Sequence, residues 1–252
     1  MRDLNNSDFY IFFDDGGVLN DNRIRGKQWK KYCGEFFYSL FGGNPENWAK
    51  ANHKVITKYL DIFWKDWRGV YPDYLSFYRK FKVDWVNEMF KEVGKSIPPN
   101  VNHEELYDKT TQYVIPKIRS AIPGVIKSIK LLFKRGFKLF TASGGVSEEI
   151  KMYLDGMGIR KCFSGFYGPD LINISKSGKD YYRTIFKDLN LNPRNAIIID
   201  DQPRFLETAL QTGANVIQSC ITGEFEPQYQ FFVKKMEKLP QIINDLLIFY
   251  NL

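Results

Sequence analysis

The stretch FFDDGGVLND, Phe12 to Asp21, constrains this chain more than any other. An apolar run from Phe9 to Phe13 stops at two carboxylates, Asp14 and Asp15, and two glycines follow at once. The run is too short for a helix and reads as a buried strand. A second such pair, Asp200 and Asp201, also stands at the end of a buried strand, where like-charge repulsion needs a cation or a raised pKa. Side chains alternate on extended backbone, so Asp14 and Asp15 face opposite sides and are not interchangeable.

The remaining pattern divides the chain. From about Asn22 to Pro116 long amphipathic stretches dominate, such as WKKYCGEFFYSLF and VITKYLDIFWKDW, and all five tryptophans fall there. Breaks at Gly42-Gly43, Gly69, Tyr71-Pro72 and Pro98-Pro99 predict about four helices. Beyond Pro116 the texture changes. VIKSIKLLFKRG predicts a helix started by Pro123-Gly124 and stopped by Gly136. FKLFT is a strand, and SEEIKMYLDGMG a helix with Ser147 as its N-cap. CFSGFYG is a strand or turn, DYYRTIFKDLNL a helix, and NAIIID a strand of continuous apolar residues. PRFLETALQTG is a helix, ANVIQ a strand and LPQIINDLLIFY a terminal helix. Strands alternating with helices predict βαβ units and a doubly wound parallel sheet in an α/β fold. The expected organisation is a core of residues 1–21 and 117–252, with an all-helical insertion at 22–116.

Composition narrows the class. Hydrophobic residues make up 44% and charged residues 26%, as in an ordinary globular protein. The net charge of +7 is consistent with an anionic ligand. The lysines are scattered rather than run together, however, so nucleic acid is not the expected partner. Cys33, Cys162 and Cys220 form no metal-ligand spacing and no disulfide framework, which predicts core positions and a reducing compartment. Met1 to Asp8 holds no apolar signal segment, and no apolar run approaches the ~20 residues that cross a bilayer. The expectation is a cytoplasmic protein with no membrane partner.

Ligands of parallel sheets gather at the carboxyl ends of the strands. The first strand delivers Asp14 and Asp15 to that edge. FKLFT delivers Thr141, then Ser143, Gly144 and Gly145, and AIIID delivers Asp200 and Asp201. Lys176 lies in a loop before the helix that leads to the last of these. Acids, hydroxyls, glycine amides and a lysine suit a phosphoryl group. Carboxylates from two strands can hold Mg²⁺, a hard cation that prefers oxygen. Thr141, Ser143, Gly144 and Lys176 can cradle the phosphoryl oxygens while an aspartate attacks phosphorus.

This ordered set resembles the haloacid dehalogenase-like hydrolase superfamily over nearly the whole chain. DDGGVL matches the first motif, with Asp14 at the nucleophile, and Thr141 matches the second-motif hydroxyl. ISKSGKDYYRTIF matches the third motif with Lys176 at the lysine, Lys179 being its competitor. IIIDDQP matches the acidic fourth motif. AIPGVIKSIKLLFKRGFKLFTAS is similar to the helix that leads into motif two. The resemblance implies an Mg²⁺-dependent phosphatase of a small phosphorylated metabolite, with an aspartyl-phosphate intermediate and a helical cap after the first strand. It implies Asp14, the Gly16 carbonyl and Asp201 as metal ligands, with Asp200 behind Asp201.

One element of the pattern is absent. Phosphatases of the family carry a second aspartate two positions after the nucleophile, which protonates the leaving group; here that position is Gly16. Moving the frame to Asp15 puts Gly17 there and loses the Gly-Val-Leu match. Gly16 can still offer its carbonyl, so a metal site is compatible with loss of the acid. The alternative expectation is a binding or regulatory protein that keeps the fold and has lost the chemistry. His53 and His103 read as solvated or core histidines, and Arg23, Arg25 and Lys27 as a solvated face.

Overall fold

The apolar run after Phe9 is a strand at the centre of a sheet. A computed structural model of the chain describes residues 6–63, 71 and 73–250. In chain order it contains β1 (Tyr10–Phe13), α1 (Asn22–Phe41), α2 (Pro45–Phe63), α3 (Tyr74–Val93), α4 (His103–Val114) and α5 (Val125–Lys134). There follow β2 (Lys138–Ala142), α6 (Ser147–Gly156), β3 (Phe163–Tyr167), α7 (Pro169–Ile172) and α8 (Lys179–Asp188). The remainder is β4 (Ala196–Asp200), α9 (Pro203–Leu210), β5 (Asn215–Ser219), β6 (Phe232–Val233) and α10 (Leu239–Phe249).

The strands form one sheet in the order β3-β2-β1-β4-β5-β6, and every pairing is parallel. The order reverses at β1, so crossovers run both ways from it and helices cover both faces. The two faces are visible within β1 itself. Ile11 and Phe13 pack with Val125, Ile129 and Leu132 of α5 and Ile243 and Leu246 of α10. Phe12 packs with Tyr181, Tyr182, Ile185 and Phe186 of α8 and Leu206 of α9. Such two-sided burial explains why β1 and β4 read as continuous apolar runs rather than alternating ones.

The chain divides into two compact units, with breaks after Asn22 and after Arg119. The unit from Arg23 to Arg119 is helical. Its core is aromatic: the Phe37 ring centroid lies 5.0 Å from Trp48 and 5.5 Å from Trp85, and Trp48 lies 5.1 Å from Phe90. The polar edges of these rings are satisfied, Trp85 Nε1 donating to Asn52 Oδ1 and Trp48 Nε1 to the Gly42 carbonyl. Asp73 caps α3 by accepting from the Ser76 amide, and Gly94 ends it in the left-handed region at φ 70°. The expected breaks at Gly69 and Pro72, and Trp64 and Trp67, lie outside the described residues.

CFSGFYG resolves as the edge strand β3. Strand β6 was not expected; two residues are too few to carry a periodic signal. Ser147 is not an N-cap. Val146 holds that position and α6 starts at Ser147, whose amide and hydroxyl both donate to Asp170. A carboxylate from elsewhere in the chain thus displaces the local serine as the capping acceptor. Cys33, Cys162 and Cys220 are free thiols and buried. No helix among the described residues is long and apolar enough to cross a membrane.

The two-sided sheet makes β4 the least tolerant element. Ile198, 1% exposed, sits among α8 and α9 side chains. Ile198→Ala should lower the unfolding free energy by about 2–5 kcal/mol through lost burial and a residual cavity. Urea denaturation followed by circular dichroism measures this.

Candidate active site

Parallel pairing fixes where the acids go. The Asp14 amide donates to the Ile199 carbonyl at 2.9 Å, so the ladder between β1 and β4 continues one step past β1. Asp14 is thereby held beside the end of β4, where Asp200 and Asp201 emerge. Asp15 turns away. Its carbonyl accepts from the Leu19 and Asn20 amides, and its carboxylate accepts from Asn20 Nδ2 at 2.6 Å. Asn20 in turn accepts from Ser120 Oγ at 2.7 Å.

Asp14, Asp200 and Asp201 are all buried, and each offers a carboxylate oxygen within 4.8 Å of the others'. Lys176 is the counter-charge. Its Nζ donates to Asp14 Oδ1 at 2.7 Å and to Asp200 Oδ2 at 2.6 Å, from a position 3% exposed. The Phe205 ring centroid lies 5.0 Å from the same ammonium, with Arg204 on that ring at 4.6 Å. The second Asp200 oxygen accepts from the Gln202 amide at 2.9 Å. Asp201 Oδ1 and Thr141 Oγ1 are buried with no hydrogen-bond partner among the described residues.

Burial and neighbouring charge set the acidity of these groups. Burial pushes Asp14 up from 3.8 to about 7; Lys176 pulls it back, and Asp200 adds to the rise. Burial, together with Asp14 and Asp200, pushes Asp201 up to about 8. Burial favours neutral Lys176, but Asp14 and Asp200 outweigh it and hold the ammonium above the usual lysine range. Three carboxylates around one ammonium, with a buried carboxylate oxygen unpartnered, form a donor set suited to a hard divalent cation.

The structure thus gathers Asp14, Lys176, Asp200 and Asp201. Thr141 stands opposite Phe13 in the register of β1 and β2, one residue short of Asp14. Ser143 is buried, and Gly144 half-buried, in the turn that follows β2. Gly16 follows Asp15 and makes a parallel bridge to Asn20. Lys179, the competitor of Lys176, is exposed at the start of α8. His53 is exposed, and His103 Nε2 lies 3.1 Å from Asn87 Oδ1. Arg23, Arg25 and Lys27 lie on α1, with Arg23 and Lys27 exposed.

Sequence reasoning missed Gly17. At φ +73° it occupies the left-handed region, and a Cβ there would lie 2.1 Å from Asp201 Oδ2 and 2.5 Å from Asp201 Cγ. The adjacent glycine pair was the available signal, but nothing in the sequence says which glycine faces Asp201. Tyr181 was missed as well; its hydroxyl donates to the Ser143 carbonyl at 2.7 Å.

The model of the haloacid dehalogenase-like hydrolase family matches residues 70–219. The enolase-phosphatase E1 of Aquifex aeolicus strain VF5 is 30% identical over 108 residues, which span 42% of this chain and 47% of that protein. Among solved structures, the HAD-hydrolase YfnB of Bacillus subtilis, bound to magnesium, superposes with a TM-score of 0.68 at 15% identity, covering 94% of this chain and 98% of that one. The L-2-haloacid dehalogenase of Xanthobacter autotrophicus with covalently bound chloropropionic acid gives 0.60 at 14% identity, covering 93% of this chain and 98% of that one. At such identities the structural likeness concerns the fold.

The close approach of Gly17 to Asp201 yields a sharp expectation. Gly17→Ala combines a left-handed backbone with a direct clash and should cost about 1–3 kcal/mol or more of stability. In the double variant Gly17→Ala, Asp201→Gly the clash is gone and only backbone strain remains. A double-mutant cycle read by urea denaturation should therefore show favourable coupling between the two changes.

Proposed function

Because the chain belongs to the haloacid dehalogenase-like hydrolase family, we propose that it is an Mg²⁺-dependent phosphatase of a small phosphorylated metabolite. One observation carries the reading: Asp14 stands against Lys176 within a cluster of three buried acids at the carboxyl edge of the sheet. A halogenated acid would bring a further carboxylate toward these groups. A phosphate ester carries charge that Lys176 and a divalent cation held by these acids would neutralise, which favours phosphoryl over carbon–halogen chemistry.

Asp14 is the nucleophile. Its Oδ1 is engaged by Lys176, which favours the ionised form and leaves the other oxygen to attack phosphorus. The phosphorus–oxygen ester bond breaks, the electron pair leaves on the alcohol oxygen, which takes its proton from solvent water, and Asp14 becomes an acyl phosphate. Water then attacks the acyl phosphate, releases phosphate and restores the carboxylate. Thr141, Ser143, Gly144 and Lys176 hold the phosphoryl oxygens. Asp14, Asp201 and the Gly16 carbonyl, with Asp200 behind, would hold Mg²⁺, which when bound neutralises charge between anion and nucleophile. Gly16 offers no proton to the leaving group, so esters with good leaving groups should react best.

Two measurements test this. Wild type should hydrolyse p-nitrophenyl phosphate with Mg²⁺, and Asp14→Asn should not. No difference between them would favour a binding protein without chemistry. Gly16→Asp should raise the rate, by up to about 10²–10⁴-fold for poor leaving groups, by supplying the missing acid.

The raised pKa values give a second expectation. In the cation-free protein Asp14 and Asp201 are ionised in the unfolded chain above 3.8 but stay protonated in the folded one until about 7 and about 8. Stability from these groups is therefore full at low pH and lost as pH rises through those folded values. Mg²⁺ binds the ionised carboxylates and should restore it. The rise in melting temperature on adding Mg²⁺ should be larger at about pH 8 than at about pH 6 in thermal denaturation, and small in Asp201→Asn at both.

A further inference from the structure

The turn after β2, residues 143–147, is held by groups that come from the β3–α8 segment. Asp170 Oδ1 accepts from the Ser147 amide at 2.9 Å, and Asp170 Oδ2 accepts from Ser147 Oγ at 2.6 Å. Tyr181, fully buried in α8, donates its hydroxyl to the Ser143 carbonyl at 2.7 Å. The Ser143 amide donates to the Tyr167 carbonyl at 3.1 Å. Gly168 lets Asp170 come this close: a Cβ there would lie 2.4 Å from the Gly145 carbonyl oxygen, 2.6 Å from Asp170 Oδ1 and 3.1 Å from the Ser147 amide nitrogen.

These contacts do more than cap a helix. A carboxylate at the first amide of α6 satisfies one of the donors that the helix leaves open and complements its dipole. It also takes the Ser147 amide and hydroxyl away from any incoming anion. The Gly145 amide is likewise engaged, donating to Ser143 Oγ at 3.1 Å. Ser143 Oγ accepts in that bond, so its own hydrogen stays free to donate toward a ligand. Asp170 at one end of the turn and Tyr181 at the other thus fix how residues 143–145 are presented.

We propose that Asp170 and Tyr181 are positioning residues that clamp the 143–147 turn and set its affinity for a phosphoryl group. The inference rests on the phosphatase reading above and deepens it. Neither side chain touches the phosphoryl group. They act through Ser143 and Gly144, and Gly168 is the residue that permits the approach of Asp170.

The test uses the full chain with Mg²⁺ and inorganic phosphate as probe, so that it does not depend on turnover. Asp170→Ala should weaken phosphate binding by about tenfold or more, measured by calorimetry, since the turn loses two hydrogen bonds to a charged acceptor. Asp170→Asn keeps a carbonyl acceptor for the Ser147 amide and should recover most of the affinity. Tyr181→Phe, which is close to isosteric, should weaken binding severalfold and serves if Asp170→Ala does not fold. Amide hydrogen exchange of residues 143–147 should quicken in Asp170→Ala and Tyr181→Phe and return toward wild type in Asp170→Asn. Unchanged phosphate affinity in folded Asp170→Ala or Tyr181→Phe overturns the inference. So does an Asp170→Asn that behaves like Asp170→Ala. Should wild type bind no phosphate, the phosphatase reading fails first, and exchange alone decides whether the clamp exists; unaltered exchange overturns it.

Discussion

The ion pairs of Lys176 hold the carboxyl edge of the sheet together. One ammonium, buried in the loop before α8, reaches Asp14 after β1 and Asp200 at the end of β4. It therefore ties together chain segments that only the parallel sheet makes neighbours. Pairs of this kind are weak evidence for stability, because desolvating each charge offsets much of the attraction. Their consequence is specificity of arrangement. Removing the ammonium would leave Asp14 and Asp200 buried beside each other without their counter-charge, which favours arrangements in which the loop and the two strand ends meet.

Around that centre the protein tolerates little. Gly17 approaches Asp201 so closely that no side chain fits, and Gly168 gives Asp170 the same freedom against the turn after β2. Both glycines are needed because a carboxylate passes where a Cβ would stand, although only Gly17 also has a left-handed backbone. Gly16 is a different case. It lies in the same turn, bridged to Asn20, and under the proposed phosphatase reading its consequence is chemical: a glycine there offers no proton to a leaving group. Adjacent, identical residues thus have unrelated reasons to be glycine.

The helical unit is held differently. Its core is a cluster of rings around Phe37, Trp48, Trp85 and Phe90, with the indole nitrogens satisfied inside the unit. Large rigid aromatics bury much area at small entropic cost and favour edge-to-face contacts, which suits helices that must pack without a sheet to register them. Its ion pairs, such as Lys54 with Glu92 and Lys58 with Glu88, involve exposed lysines and contribute little beyond solubility.

The α/β class and the parallel sheet were legible in the residues alone, because apolar runs and helical periodicity are local signals. The sequence also marked Asp14, Thr141, Lys176, Asp200 and Asp201, since residue type at a strand end is readable wherever strands are. The tertiary structure alone decided which lysine meets the acids, for Lys176 and Lys179 are three positions apart and only the path of the loop into α8 separates a buried ammonium from an exposed one. It alone showed that Asp170 supplants Ser147 at the start of α6, that Asn20 draws Asp15 away, and that Gly17 makes room for Asp201. Each is a contact between residues whose distance in space depends on the packing of several elements, and no local pattern records it.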